Sequence, residues 1–163
     1  MLNVSKLYQG QLHLNKTRFT VSKLIDDCCL HIRALGAYSI IKSGDMELQI
    51  IADSERVDQV IINMVNNAIK YAPDSKEIII HIEKADDMAR VSITDQGPGI
   101  SSQKIPHLFD RYFRVDSSGS QYSGLGLGLY ISSEIIKKHG GDIGVNSETG
   151  KGSTFWFTLP ADD

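Results

Sequence analysis

Two carboxamides and one ammonium group recur at helical spacing in the middle of the chain. Asn63, Asn67 and Lys70 stand at positions i, i+4 and i+7, so one face of a helix would present all three in line. Asparagine is a poor helix former, so its repetition here needs a reason. A carboxamide oxygen is a neutral ligand for a hard cation such as magnesium, and a lysine binds phosphate oxygens. The alternative interpretation is a solvated helix face.

One carboxylate stands at the mouth of a glycine turn. Asp95 ends a strand-like run and is followed by Gly97 and Gly99. These glycines leave no side chains beside the carboxylate, so a flat ring could lie there. The carboxylate could then accept a hydrogen bond from an exocyclic amine of that ring. That arrangement would be an adenine seat. The alternative is an Asx turn, which any Asp-x-Gly sequence can form.

Three glycines at alternate positions precede a helical run near the carboxyl end. Gly124, Gly126 and Gly128 would expose backbone amides where the helix dipole favours an anion such as phosphate. Glycines also serve tight turns, so this run is a weak signal by itself. It lacks the early βαβ position of a dinucleotide site and the Gly-Lys-Ser/Thr ending of a P-loop. The Ser- and Gly-rich residues at about 115–124 are predicted to form a lid.

Three helices would position these groups. The asparagine-bearing helix has a buried stripe and can be capped by Asp53 or Ser54. An earlier amphipathic helix is predicted over Val21 to Leu35. A third runs from the glycines to Lys138, where basic residues, including His139, would face its carboxyl-end dipole. The apolar stripe of the asparagine-bearing helix consists of Val57, Val60, Ile61, Met64, Val65 and Ala68.

The remaining apolar runs read as strands. Glu77 to Ile82 and Ala89 to Ile93 alternate around a polar turn at 85–87 and predict a hairpin in the middle of a sheet. The elements do not alternate as regular βαβ units, so the prediction is an α/β two-layer sandwich, a mixed sheet covered on one face by helices. The other strand candidates are a short strand or hairpin at 12–21, then Tyr38–Ile41 and Leu48–Ile51 joined by a turn at 42–45, and finally Ile143–Val145 and Ser153–Leu159.

Composition narrows the class of protein. The chain has 163 residues, a length typical of one domain, and a net charge of −3, which argues against a nucleic-acid partner. No apolar run reaches the ~20 residues that span a bilayer, so we expect no direct membrane contact and a cytoplasmic location. Cys28 and Cys29 are adjacent, which suits neither a metal knuckle nor a structural disulfide. We expect them to be buried thiols.

The order of these motifs is more specific than any one of them. The chain carries Asn-x-x-x-Asn, then Asp-x-Gly-x-Gly, then a Phe-rich segment, then Gly-x-Gly-Leu-Gly-Leu. Over residues 11 to 160 it resembles the ATP-binding catalytic domain of sensor histidine kinases, within the Bergerat (GHKL) superfamily. The resemblance implies a Bergerat ATP-binding fold with ATP or ADP and Mg²⁺ as ligands.

The resemblance also implies residue roles. Residues 63–71 are similar to the family's N box, so Asn67 would hold magnesium with Asn63 beside it, Lys70 would contact phosphate, and Tyr71 would lie along the adenine. Residues 95–99 are similar to the first glycine box, so Asp95 would accept from the adenine amine. By the same match Gly97 and Gly99 open that turn, and Ile100 would lie on the ring face.

Two further segments match family motifs. Residues 108–114 are similar to the F box, which places Phe113 and Arg114 near the nucleotide, and residues 150–155 are similar to the last glycine box. The resemblance assigns the catalytic role to Asn63, Lys70 and Arg114. The residues similar to the second glycine box are Gly124, Leu125, Gly126, Leu127, Gly128 and Leu129.

One position favours phosphoryl transfer over hydrolysis. Superfamily members that hydrolyse ATP carry a glutamate general base four residues before the magnesium asparagine, and Asn63 stands there in this chain. An asparagine side chain cannot take a proton from water. The resemblance therefore predicts a histidine kinase. The alternatives are an ATP-hydrolysing conformational switch and a nucleotide-binding module without catalysis.

The chain lacks the phosphoacceptor motif of this family. None of its five histidines is followed by an acid and then Thr/Asn-Pro. Residues 1–10 resemble the end of the second dimerisation helix, and residues 11–163 the catalytic domain. We therefore expect a catalytic part that cannot phosphorylate itself. Its partners would be a separate phosphoacceptor-histidine dimerisation domain and a downstream response regulator, within a parent kinase that is cytoplasmic or membrane-anchored.

Overall fold

The computed structural model describes residues 13–30, 38–72, 76–110 and 128–161, with Tyr71 described by its backbone alone. The predicted remnant at 1–10 and the whole predicted lid at 115–124 lie outside these ranges. The helices are α1 (Val21–Cys28), α2 (Ser54–Tyr71) and α3 (Gly128–Lys138), with a short 3₁₀ helix at Ile105–His107. The strands are β1 (Thr17–Thr20), β2 (Ser39–Gly44), β3 (Gln49–Ala52), β4 (Glu77–Ala85), β5 (Met88–Asp95), β6 (Ile143–Ser147) and β7 (Ser153–Pro160).

Five of the strands form one mixed sheet in the order β2-β4-β5-β7-β6. β2 runs parallel to β4, whereas every other pair in this sheet is antiparallel. β1 and β3 form a separate antiparallel pair. The mixed sheet and the central β4–β5 hairpin are both as predicted.

The core lies between this sheet and the helices. Ile80, Ile93 and Phe155 are directly paired across β4, β5 and β7, and all three are at most 1% exposed. The same period of two continues along each strand, so one sheet face is apolar. The predicted apolar stripe of α2 is buried in full and belongs to the same cluster. Burial of each such side chain stabilises the fold by about 1.5–3 kcal/mol.

The helix predicted from Val21 to Leu35 is interrupted at Cys29, and Leu30 is helical again. α1 ends at Cys28, and Cys29 caps it with its N–H donating to the Ile25 carbonyl oxygen, while residues 31–37 lie outside the described residues. Both cysteines are nearly fully buried. Adjacent helical side chains point about 100° apart, so ending the helix here lets both side chains turn inward.

The two cysteines are reduced and buried, as expected. The Cys28 thiol donates a hydrogen bond to the Asp58 carboxylate of α2. Burial, followed by that hydrogen bond and the charge of Asp58, raises the pKa of Cys28 far above its usual range. Cys28 therefore remains protonated and ties α1 to α2.

The turn predicted at 42–45 is wrong, because β2 continues to Gly44. Lys42 lies 2.7 Å from both the Ser22 hydroxyl and the Asp26 carboxylate of α1, and Ser43 Oγ lies 2.8 Å from His81 Nδ1 on β4. These partners are distant in sequence. Their contacts hold Lys42 and Ser43 in the strand, although the local composition is typical of a turn.

α2 begins where the sequence predicts it. The Asp53 side chain accepts from the Arg56 N–H at 3.4 Å, so Asp53 is the N-cap rather than Ser54. Glu55 lies in the first turn and Lys70 in the last, and both charges complement the helix dipole. Among the helices of the described ranges, none is both long and apolar enough to cross a membrane.

Candidate functional site

The asparagine-bearing helix lies directly beside the glycine-opened helix. The Asn63 carboxamide nitrogen donates to the Gly128 carbonyl oxygen at 3.3 Å and to Ser132 Oγ at 3.2 Å. Gly128 is the first residue of α3, so the contact joins the middle of α2 to the amino-terminal end of α3. That end carries the positive pole of the helix dipole.

Asn67 and Lys70 continue along α2 beyond this contact. Asn67 lies about one turn and Lys70 about two turns beyond Asn63, and all three side chains are half-buried. A carboxamide and an ammonium therefore follow the α2–α3 junction on one helix. The assignment of Asn67 to magnesium and Lys70 to phosphate stays a prediction.

Asp95 ends β5 on the sheet face that the helices cover, and it is only 3% exposed. Its Oδ1 accepts from the Gly97 N–H at 2.9 Å and from the Ser153 N–H at 3.3 Å. The predicted Asx turn is thus present. Burial raises the pKa of Asp95, and the two N–H donors oppose that rise.

The Asx turn does not occupy the whole carboxylate. Both hydrogen bonds that Asp95 accepts from described residues go to Oδ1. In those same ranges, no fully buried side-chain oxygen or nitrogen lacks a hydrogen-bond partner. Oδ2, which accepts none from those residues, is therefore not fully buried and could accept a hydrogen bond from a ligand. One oxygen holds the turn, and the other suits an exocyclic amine.

The glycine turn after Asp95 packs against the β6–β7 turn. A Cβ at Gly99, where φ is +79°, would lie 2.3 Å from the Glu148 carbonyl oxygen. The Gly150 N–H donates to the Pro98 carbonyl oxygen at 2.7 Å, and the Ile100 N–H donates to Ser147 Oγ at 2.7 Å. Backbone contact between these two turns therefore fixes the segment that follows Asp95.

This arrangement of helices and sheet can be compared with known proteins. Residues 52–163 match the family model described as "Histidine kinase-, DNA gyrase B-, and HSP90-like ATPase". The chain belongs to this ATPase family.

Curated relatives of this ATPase domain are sensor kinases. The chain is 37% identical to the sensor histidine kinase WalK of Bacillus subtilis over 119 residues. This aligned stretch covers 71% of the chain and 20% of the relative. The chain is 35% identical over 170 residues to the sensor histidine kinase GacS of Pseudomonas protegens, covering 98% of the chain and 18% of the relative. The chain thus spans about a fifth of the length of these relatives.

Solved structures show the same fold. The mycobacterial sensor histidine kinase MprB superposes with a TM-score of 0.77 at 27% identity, covering 90% of this chain and 97% of that one. Full-length ShkA in complex with AMPPNP superposes with a TM-score of 0.84 at 26% identity, covering 96% of this chain and 33% of that one. The predicted family and the predicted Bergerat-type α/β fold are confirmed.

Three serines of this ATPase domain, two of them buried and Ser147 half-buried, were not predicted as site residues. Ser132 bonds Asn63, Ser153 pairs with Asp95 across β5 and β7, and Ser147 Oγ lies 2.7 Å from Ser153 Oγ. Ser132 and Ser153 are 0% and 5% exposed. Two sequence patterns could have identified two of them. Ser132 stands four residues after Gly128, on the same helix face, and Ser153 holds an inward position in the alternation of β7.

Several predicted site residues lie outside the described residues, and their roles stay predictions. Of the second glycine box, only Gly128 and the buried Leu129 are described. The predicted site residues outside the described ranges are Phe113, Arg114, Gly124, Leu125, Gly126 and Leu127, together with the Tyr71 side chain.

Proposed function

We propose that this chain binds Mg-ATP and transfers the γ-phosphoryl group to a histidine on a separate dimerisation domain, as the catalytic part of a two-component sensor kinase. The observation that carries the proposal is the contact of Asn63 with Gly128 and Ser132, which joins the two predicted phosphate-side helices. Both helices cover the sheet face on which Asp95 lies. The sequence similarity to sensor kinases supports the same role.

The nucleotide would lie with its adenine at Asp95. The exocyclic amine donates to Asp95 Oδ2, while Gly97 and Gly99 leave room for the ring and Ile100 borders it. The phosphates extend toward the amino-terminal end of α3 and Lys70. This orientation uses the one Asp95 oxygen that accepts no hydrogen bond from described residues.

The donor set fits magnesium. Mg²⁺ takes hard oxygen ligands, keeps several waters and is commonly shared with substrate phosphates, so one carboxamide oxygen is a sufficient protein contribution. Asn67 supplies that oxygen from a half-buried position on α2. When bound, the ion offsets negative charge on the phosphate oxygens.

The chemical step is an in-line displacement at phosphorus. An imidazole nitrogen of the partner domain forms the new P–N bond, the bond from the γ-phosphorus to the β–γ bridging oxygen breaks, and ADP leaves with that electron pair. The imidazole proton passes to solvent. Lys70 and Arg114 stabilise the charge that develops on the transferred group, and Asn63 holds α3 in place beside them.

The proposal includes the division of the chain. Residues 1–10 belong to the end of a dimerisation helix, residues 11–163 form the catalytic domain, and residues 115–124 act as a lid. Because none of the five histidines carries the phosphoacceptor motif, the acceptor histidine would lie outside these 163 residues. A response regulator would receive the phosphoryl group afterwards.

Phosphoryl transfer in trans tests the proposal. The chain is mixed with a purified helical phosphoacceptor domain of a sensor kinase relative and γ-labelled Mg-ATP. We expect acid-labile label on the helical domain, none on this chain, and loss of labelling with EDTA. A relative's domain whose acceptor histidine is replaced is the control.

Two outcomes would contradict the kinase assignment. Steady-state phosphate release by the chain alone would favour the ATP-hydrolysing conformational switch. Nucleotide binding without label on any helical domain offered would favour a nucleotide-binding module without catalysis. The chemistry of Asn63 argues against the first outcome, since a carboxamide cannot deprotonate water.

Replacement of Gly128 by alanine should separate stability from binding. A Cβ at this position would lie 3.8 Å from Asn63 Cγ, an ordinary contact. Alanine also favours the helix by up to about 1 kcal/mol. We expect unchanged or higher thermal stability but roughly tenfold weaker ADP binding by calorimetry, because the methyl group obstructs phosphate at the α3 end. Lys138→Ala at the far end of α3 is the control. Unchanged ADP affinity would place the phosphates elsewhere.

A further inference from the structure

His139 is buried and forms two hydrogen bonds. It follows α3 directly and is 4% exposed. Its Nε2 lies 3.0 Å from the backbone nitrogen of Asp53, and its Nδ1 lies 2.8 Å from the Ile135 carbonyl oxygen. The Asp53 N–H can only donate, so Nε2 accepts and Nδ1 carries the proton that is donated to Ile135. The ring is therefore neutral.

The partner of this histidine is the N-cap of α2. Besides its bond to Arg56, the Asp53 carboxylate accepts from the Asn15 N–H at 3.0 Å. The Asp53 backbone and side chain thus hold the start of α2, the segment before β1 and the end of α3 together. The contact with His139 spans 86 residues of sequence.

Two ties therefore join α2 and α3. One joins Asp53 to His139, and the other joins Asn63 to Gly128 and Ser132. Asp53 and Asn63 are about 15 Å apart along α2, and His139 and Gly128 are about 16 Å apart along α3. The helices run antiparallel with matched spacing, so the two ties together fix the axial register and tilt of α3.

We propose that His139 is a positioning residue for nucleotide binding: through the Asp53 N–H it sets the register of α3, and so the place of the phosphate-binding end at Gly128 beside Asn63. This proposal rests on the proposed function. The adenine seat at Asp95 is held by β5, β7 and the β6–β7 turn. Loss of the His139 tie should therefore weaken phosphate binding and spare adenine binding.

Two substitutions each keep one of the two hydrogen bonds of the imidazole ring. Glutamine extends an acceptor oxygen to about the place of Nε2 and can keep the bond from the Asp53 N–H. Asparagine places its amide near Nδ1, so it can keep the bond to Ile135 but is too short to reach Asp53. H139Q is therefore the conservative variant and H139N the disruptive one. His81, which bonds Ser43 on the opposite sheet face, provides H81N as a control.

The measurement is the affinity of the folded proteins for ADP with magnesium and for adenosine. We expect H139N to bind ADP about tenfold more weakly, as loss of a buried hydrogen bond implies. Adenosine affinity should stay within about twofold, and H139Q and H81N should match the wild type for both ligands. Equal ADP affinity in H139N and wild type would overturn the proposal, as would equal losses for ADP and adenosine. Failure of the wild type to bind ADP would instead refute the proposed function.

A pH profile provides a second readout that needs no disruptive variant. Burial lowers the pKa of His139, as does the charge of Lys16, while the Ile135 bond and the charge of Asp53 oppose the shift. The ring thus stays neutral above its ordinary value of about 6.5 and becomes protonated only below it. A protonated Nε2 cannot accept from Asp53. Titration of the ADP phosphate lowers the ratio of ADP to adenosine affinity in acid in both proteins. The ratio should nevertheless fall more steeply in the wild type than in H139Q, which retains Asp95. Identical profiles would overturn the proposal even if H139N fails to fold.

Discussion

Replacement of Asp95 by asparagine should weaken ADP binding about 100-fold. In the proposed site, Oδ2 accepts from the adenine amine, whereas an asparagine nitrogen at that place can only donate. The change removes a hydrogen bond to a charged acceptor, worth about 1.5–3 kcal/mol, and sets two donors against each other. Calorimetry with ADP and magnesium measures the loss, and Asp87→Asn at an exposed turn residue is the control.

The same variant should fold at least as well as the wild type. The asparagine Oδ1 can still accept from the Gly97 and Ser153 N–H groups. Burial raises the folded-state pKa of Asp95, so the ionised carboxylate destabilises the folded state as pH rises through that pKa. Thermal unfolding from pH 4 to pH 8 should show D95N gaining stability relative to the wild type toward high pH. ADP affinity equal to that of the wild type would rule out Asp95 as the adenine seat.

Local patterns predicted the central elements well for a physical reason. The apolar stripe of α2 and the alternation in β4, β5 and β7 report the same buried face, so periodicity alone identifies both layers. The ends of α1 and β2 depended on partners elsewhere in the chain. Cys28 bonds Asp58, and Lys42 bonds α1, and neither contact leaves a signal in the neighbouring sequence.

The candidate site also contains residues that the local sequence reveals and residues that it does not. Asn63 and Asp95 were recognisable because their residue types conflict with their local surroundings, a carboxamide inside a helix and an acid at the end of a strand. Ser132 and Ser153 were not, because serine is common in turns and their partners on α2 and β5 are distant in sequence. His139 had a sufficient local explanation at the end of α3. Its bond to Asp53 was therefore invisible until the fold placed the two residues together.

Replacement of Gly152 by alanine should strongly destabilise the fold. Gly152 has a φ of +80°, and a Cβ there would lie 2.2 Å from the Asp95 carbonyl oxygen and 3.2 Å from Gln96 Cα. The left-handed conformation costs about 1–2 kcal/mol for alanine. The contact adds a further cost, because the Asp95 carbonyl belongs to the backbone at the end of the β5–β7 ladder and cannot move aside singly. We expect a total near 3 kcal/mol or more in urea unfolding.

Gly150 provides a matched control for this substitution. Its φ is +85°, and no atom lies within 4 Å of a Cβ built there. G150A therefore carries the conformational cost without the clash and should lose only about 1–2 kcal/mol. The difference between the two variants measures the contact with Asp95. Because relief of the clash must displace the end of β5, G152A should also bind ADP at least about tenfold more weakly, while G150A binds normally. Equal losses of stability in both variants would mean that the Asp95 backbone yields without cost, and Gly152 would then matter for its φ alone.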